Sequence, residues 1–107
     1  MKTLKFKDHL VSLVLSGKKD STWRLFDDKN LGKGDELVLI NKDNGEEFGK
    51  AIIISTSEKR LCDLRDSDFE GHEKFESEEK MYDAYRSYYG DKVMPESVVK
   101  IVKFKLI

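Results

Sequence analysis

Gly17-Lys18-Lys19-Asp20-Ser21-Thr22-Trp23-Arg24 joins two kinds of periodicity. Before it, Leu10, Val11, Leu13, Val14 and Leu15 recur at helical spacing. After it, residues 20–26 read as a strand whose side chains alternate. Thr22 and Arg24 share one face there, and Ser21, Trp23 and Leu25 the other. Gly17 stands where a left-handed helix cap belongs. Lys18 and Lys19 follow at the negative end of the helix dipole. A turn that delivers an amine, a hydroxyl and a guanidinium together can hold an anion or perform acid–base work. The plain alternative is a solvated helix end followed by an ordinary strand.

Upstream, Leu4 and Phe6 alternate with Lys5 and Lys7, which predicts a strand, and Asp8 is a candidate helix N-cap. Downstream, Asp27-Asp28-Lys29-Asn30 is a polar loop and Gly32-Lys33-Gly34-Asp35 a turn. Residues 36–41 and 47–56 read as strands joined at Asn44-Gly45, a hairpin signal. Gly49 marks a bulge or a close backbone approach. Residues 61–69 read as a strand end and a short helix. Residues 76–89 form a second helix with Met81, Ala84, Tyr85 and Tyr88 turned inward. Residues 98–107 are a last strand, with Val102, Phe104 and Leu106 on one face. This order predicts an α+β fold: a small, partly closed, mostly antiparallel barrel with two to three helices at its edge. The last strand is expected to close the sheet beside the first ones.

A length of 107 residues suffices for one domain, 1–107. The net charge of −1 gives no overall field toward nucleic acid or anionic lipid. Contact with nucleic acid therefore has to come from a local basic patch. The single cysteine, Cys62, rules out an internal disulfide and a cysteine-rich metal site. It fits a reducing, cytoplasmic setting, with Cys62 as a buried small hydrophobe. His9 and His72 have no metal-ligand spacing, so neither metal nor cofactor is expected. No apolar run has the length of a signal peptide or a membrane span. A monomer is expected.

Three segments resemble the ASCH family (activating-signal-cointegrator homology), which belongs to the PUA-like barrels. The first runs from Leu15 through Lys19 and Thr22 to Arg24, similar to the family's Gly-basic-Lys-Thr-x-Thr-x-Arg signature; it departs at Asp20, where the family usually has threonine. The second is Leu31-Gly32-Lys33-Gly34-Asp35. The third is Phe69-Glu70-Gly71-His72, together with the closing Val102-Lys103-Phe104-Lys105-Leu106. The resemblance spans nearly the whole chain. It implies a protein that binds RNA or a modified nucleoside. The resemblance also implies hydrolase activity, either of an amidohydrolase acting on N4-acetylcytidine through Lys19, Thr22 and Glu70, or of a ribonuclease.

In that amidohydrolase reading Lys19 acts as general base for Thr22, which attacks the amide carbonyl, while Glu70 passes a proton to the leaving amine. Lys18, Arg24, Trp23 and His72 are the candidate ligand-binding residues. Arg24 offers a planar fork for phosphate or carboxylate, or else a salt bridge to a nearby acid. Trp23 reads as core, with a base-stacking platform as the alternative. His72 either lines the same cleft or faces solvent. Tyr85 and Tyr88 are expected on the barrel, and Tyr82 and Tyr89 turned toward a ligand or partner. An exposed tyrosine face would suit a rival reading, a protein-interaction domain without catalysis. Lys5, Lys7, Lys103 and Lys105 form a basic face if the terminal strands pair, or else guard a sheet edge.

Overall fold

The computed structural model describes residues 1–26, 29–72 and 74–107; Asp27 and Asp28 of the expected polar loop, and Glu73, lie outside the described residues. The strands are β1 (Lys2–Phe6), β2 (Ser21–Leu25), β3 (Glu36–Asn41), β4 (Glu47–Arg60) and β5 (Val98–Leu106). They form one curled sheet in the order β1-β3-β4-β5-β2. β1 runs parallel to β3, and the other three pairings are antiparallel. Helices α1 (Asp8–Leu15) and α2 (Glu78–Tyr89) and two 3-10 turns, Leu61–Asp63 and Asp66–Phe69, complete the described elements. The α+β, mostly antiparallel architecture is the one the sequence predicts.

Two bulges bend the long strand β4. Opposite β3, Leu39 pairs with Gly49 and Ile40 with Glu47, which leaves Phe48 as the extra residue. Opposite β5, Ile53 pairs with Phe104 and Ser55 with Lys103, which leaves Ile54 extra. Each bulge raises the local twist, which lets a five-stranded sheet curl. The bulge expected near Gly49 is therefore present. A Cβ there would stand 3.8 Å from Leu39 Cδ1, an ordinary contact, so no close approach requires the glycine.

The curled sheet buries two separate cores. One joins Leu4 and Phe6 of β1 to Leu37, Leu39, Ala51, Ile53, Val102 and Phe104, with Val14 of α1 packed on them. The other joins Trp23 and Leu25 of β2 to Val99 and Ile101 of β5 and to Met81 and Tyr85 of α2. β5 serves both because its faces alternate: Val99 and Ile101 point one way, Val102 and Phe104 the other.

Several expectations need correction. The last strand lies between β4 and β2, so β1 and β5 are not neighbours and the four terminal lysines share no face. Lys103 instead pairs with Ser21 and Ser55. Leu106 is exposed despite its alternation with Phe104. Asp8 is the first helical residue rather than the cap. Its amide donates to Asp43 Oδ2 at 2.7 Å, and its carboxylate accepts from Asn41 Nδ2 at 2.9 Å, so the cap comes from the β3–β4 turn. Residues 61–69 hold two 3-10 turns. Cys62 is exposed, because the first of these turns puts Leu61 in the core and Cys62 outside. On α2, Tyr85 is buried, Tyr82 and Tyr89 pack against the second core, and Tyr88 is exposed. One helical step is about 100°, enough to exchange the roles of Tyr88 and Tyr89.

Candidate functional site

β1 and β2 are the two edges of the sheet, and the curl brings them to face one another. They do not pair. Arg24 crosses the gap, with Nη2 donating to the Lys5 carbonyl at 3.1 Å. A cavity of 430 Å³ opens along this gap, within the usual range for small-molecule sites. Leu4, Lys5, Phe6 and Lys7 form one wall, and Thr22, Trp23, Arg24, Leu25 and Phe26 the other. α2 supplies Tyr85, Tyr88 and Tyr89, and Lys29, Lys42, His72 and Lys92 come from the loops.

The opening stretch reaches the cavity for local reasons. Gly17 takes φ +81°, which reverses the chain after α1. The Lys19 amide then donates back to the Leu13 carbonyl at 3.0 Å. Lys18 is exposed and stands outside the cavity lining, while Lys19 turns inward and is only 3% exposed. Its Nζ donates to the Ser21 carbonyl at 2.8 Å. Thr22, also 3% exposed, stands on the same wall. A buried ammonium group is costly unless hydrogen-bonded, and the Ser21 carbonyl supplies such a partner.

A second segment is clamped onto the start of β2. The Gly71 carbonyl accepts from the amides of both Asp20 and Ser21, each at 3.1 Å. Gly71 takes φ +72°, and a Cβ at this position would run into Asp20 Oδ1. The clamp sets the next residue, His72, flat on Trp23, with ring centroids 3.9 Å apart and planes 13° from parallel. Phe69 meets the same indole at 4.9 Å. His72 is therefore buried in the cavity wall rather than solvated. Glu70, two residues earlier, is exposed and not part of the lining. Lys19, Thr22, Trp23, Arg24 and His72 thus share one hollow, and Lys18 and Glu70 stand outside it.

Trp23 is both core and wall. It belongs to the second core cluster and also lines the cavity, and its Nε1–H has no hydrogen-bond partner among the described residues. Arg24 forms no ion pair among the described residues; its guanidinium lies 5.5 Å over the Phe6 ring. Six lysines and one arginine line the cavity, and no described carboxylate does. Sequence reasoning missed Lys29, Lys42 and Lys92 because they come from separate segments that no local spacing relates, whereas Phe26 follows Thr22 and Arg24 at strand alternation and was legible from it.

What these features define is an α+β half-barrel with a cationic, aromatic-lined opening between its edge strands. In sequence, the chain matches no protein-family model and no curated protein. In fold it is similar to the ASCH domain from Lactobacillus crispatus JV V101, at 16% identity and TM-score 0.73, over 98% of this chain and 79% of that one. It is likewise similar to a DUF984 protein from Enterococcus faecalis V583, at 12% identity and TM-score 0.76, over 92% of this chain and 70% of that one. ASCH from Zymomonas mobilis aligns at 12% identity and TM-score 0.68, over 98% of this chain and 68% of that one. The fold is that of the ASCH domains.

Proposed function

We propose that this chain is an ASCH domain whose cavity binds one nucleotide unit, of RNA or of a modified nucleoside. The observation that carries this reading is the wall itself. Its charged side chains are cationic, in a chain whose net charge is −1. Beside them stand the aromatic side chains Trp23, His72, Tyr85, Tyr88 and Phe26, an apolar lining that suits a base. Phosphate is the anion that accompanies a base, and arginine and lysine are its usual partners. Isothermal titration with cytidine 5′-monophosphate and with a short RNA, on wild type and Arg24→Gln, tests the reading. Binding that weakens in the variant supports it. No binding of either ligand to wild type overturns it.

A second reading rests on Lys19 and Thr22, two buried polar groups on one wall. Thr22 Oγ attacks an amide carbonyl of the ligand while Lys19 Nζ, as general base, takes the hydroxyl proton. The C–N bond breaks, the proton passes to the leaving amine, and an acyl-Thr22 remains. Water then cleaves that ester and releases the acid. Glu70 has no step here because it stands outside the cavity lining. Incubation with N4-acetylcytidine should release cytidine from wild type and not from Lys19→Met. Equal rates in both remove Lys19 from the reaction.

A further inference from the structure

Two aromatic rings at the cavity stay in water. Phe26 is 43% exposed and Tyr88 47% exposed, although both line the hollow. Each carries lysine. Lys92 Nζ lies 4.3 Å above the Phe26 ring. Lys7 Nζ and Lys42 Nζ lie 4.8 Å and 5.8 Å from the centre of the Tyr88 ring. Phe26 also has φ +52°, a left-handed backbone that a bulky side chain rarely adopts. Such strain persists where surrounding structure enforces it, and it gathers at binding sites. The two rings are linked through the interior: Phe26 meets Tyr89 at 5.8 Å, Tyr89 meets Tyr85 at 6.3 Å, and Tyr85 meets Tyr88 at 6.0 Å.

From this arrangement we infer that the site takes a single-stranded oligonucleotide rather than a lone nucleoside. This rests on the nucleotide-binding reading above. One base enters the hollow beside Trp23 and His72, and the neighbouring bases stack on Phe26 and Tyr88. Lys92 beside Phe26, and Lys7 and Lys42 beside Tyr88, meet the phosphates. A mononucleoside fills the interior and leaves both outer rings and their lysines unused. The same pair of groups, an aromatic ring and an ammonium, occurs twice in the lining of the hollow. That repeats the chemistry of a base and its phosphate. In the free protein each ammonium rests on its ring, a weak exposed contact. A strand exchanges that contact for base stacking and an ion pair.

The test compares cytidine 5′-monophosphate with the pentamer UUCUU, as RNA and as its deoxy counterpart, by isothermal titration. It uses wild type and the double variant Phe26→Leu/Tyr88→Leu, which keeps apolar volume and removes both π faces. Stacking contributes roughly 5-fold or more in affinity per base. The better pentamer should therefore bind wild type at least about 25-fold tighter than the monophosphate, and that ratio should collapse in the double variant. Circular dichroism confirms that the variant is folded, and Tyr88→Phe should keep the pentamer's advantage. A wild-type pentamer no tighter than the monophosphate overturns the inference and leaves the nucleotide site standing. So does a ratio that survives in the double variant. If neither ligand binds, the nucleotide reading itself fails.

Discussion

The imidazole of His72 lies on the indole of Trp23 with only 3.9 Å between ring centres. This stack ties the loop before α2 to the second residue after Ser21, the start of β2, and it builds part of the cavity wall. Trp23 also packs against Phe69 and Tyr85. Trp23→Ala removes all three ring contacts at a fully buried position and should cost about 3–5 kcal/mol. His72→Ala removes two ring pairs, with Trp23 and with Phe75, each contributing about 0.5–1.5 kcal/mol beyond the lost buried area. Urea unfolding of the two variants gives the comparison. A cost for His72→Ala equal to that of Trp23→Ala would mean that the stack, rather than the core, holds this region.

Arg24 spans the gap between the edge strands with its guanidinium toward Lys5 O and the Phe6 ring. Charged hydrogen bonds contribute about 1.5–3 kcal/mol. Arg24→Gln should therefore weaken binding of cytidine 5′-monophosphate by roughly 10-fold or more. For single-stranded RNA the slope of log K against log salt should become shallower by about 0.7. An unchanged slope with weakened binding would assign Arg24 to shaping the wall rather than meeting phosphate.

Gly71 holds the amides of Asp20 and Ser21 from a left-handed backbone. Gly71→Ala meets two obstacles: the positive φ, and the Asp20 carboxylate where the new methyl would stand. The backbone penalty is about 1–2 kcal/mol. The carboxylate is the tip of an exposed side chain and can swing away. Asp20→Ala should therefore rescue less than half of the loss in Gly71→Ala, as read from thermal or urea unfolding of the single and double variants. Full rescue would place the cost in the clash alone.

The acid limb of stability should report Asp68. Burial pushes its carboxyl up, but the Arg65 amide at 2.8 Å and Lys59 at 2.9 Å outweigh this and hold it below the usual carboxylate value. The unfolded chain then binds the proton more readily than the folded one. The contribution is fully present above the unfolded value, about 3.9, and is lost as pH falls through the lower folded value. Asp68→Asn should flatten the fall of stability below about pH 4 relative to wild type. An identical acid limb in the variant would show that Asp68 contributes none of it.

The elements were legible wherever local rules decide them. Gly17 ends α1, the alternation of Thr22 to Leu25 marks β2, and residues around Asn44-Gly45 turn the β3–β4 hairpin. What local rules do not encode is which strands meet. The parallel pairing of β1 with β3 left β1 as an edge opposite β2, so Lys5 and Lys7 joined Arg24 rather than Lys103 and Lys105. The candidate turn was legible as chemistry, since Lys19 and Thr22 do enter one hollow. Its far wall was not, because Lys42 and Lys92 reach it from loops distant in sequence. His72 read as a possible solvent residue because its burial depends on the Gly71 clamp, a long-range contact.

Trp23 is the sole tryptophan, and its indole N–H has no partner among the described residues while its ring lines the cavity. It therefore gives one isolated cross-peak in a 15N–1H correlation spectrum. Titration with cytidine 5′-monophosphate should move that peak saturably, together with the amides of Thr22 and Arg24. If the nucleotide reaches saturation on other residues while the indole peak stays fixed, or if no peak moves at all, the hollow between β1 and β2 is not where a nucleotide binds.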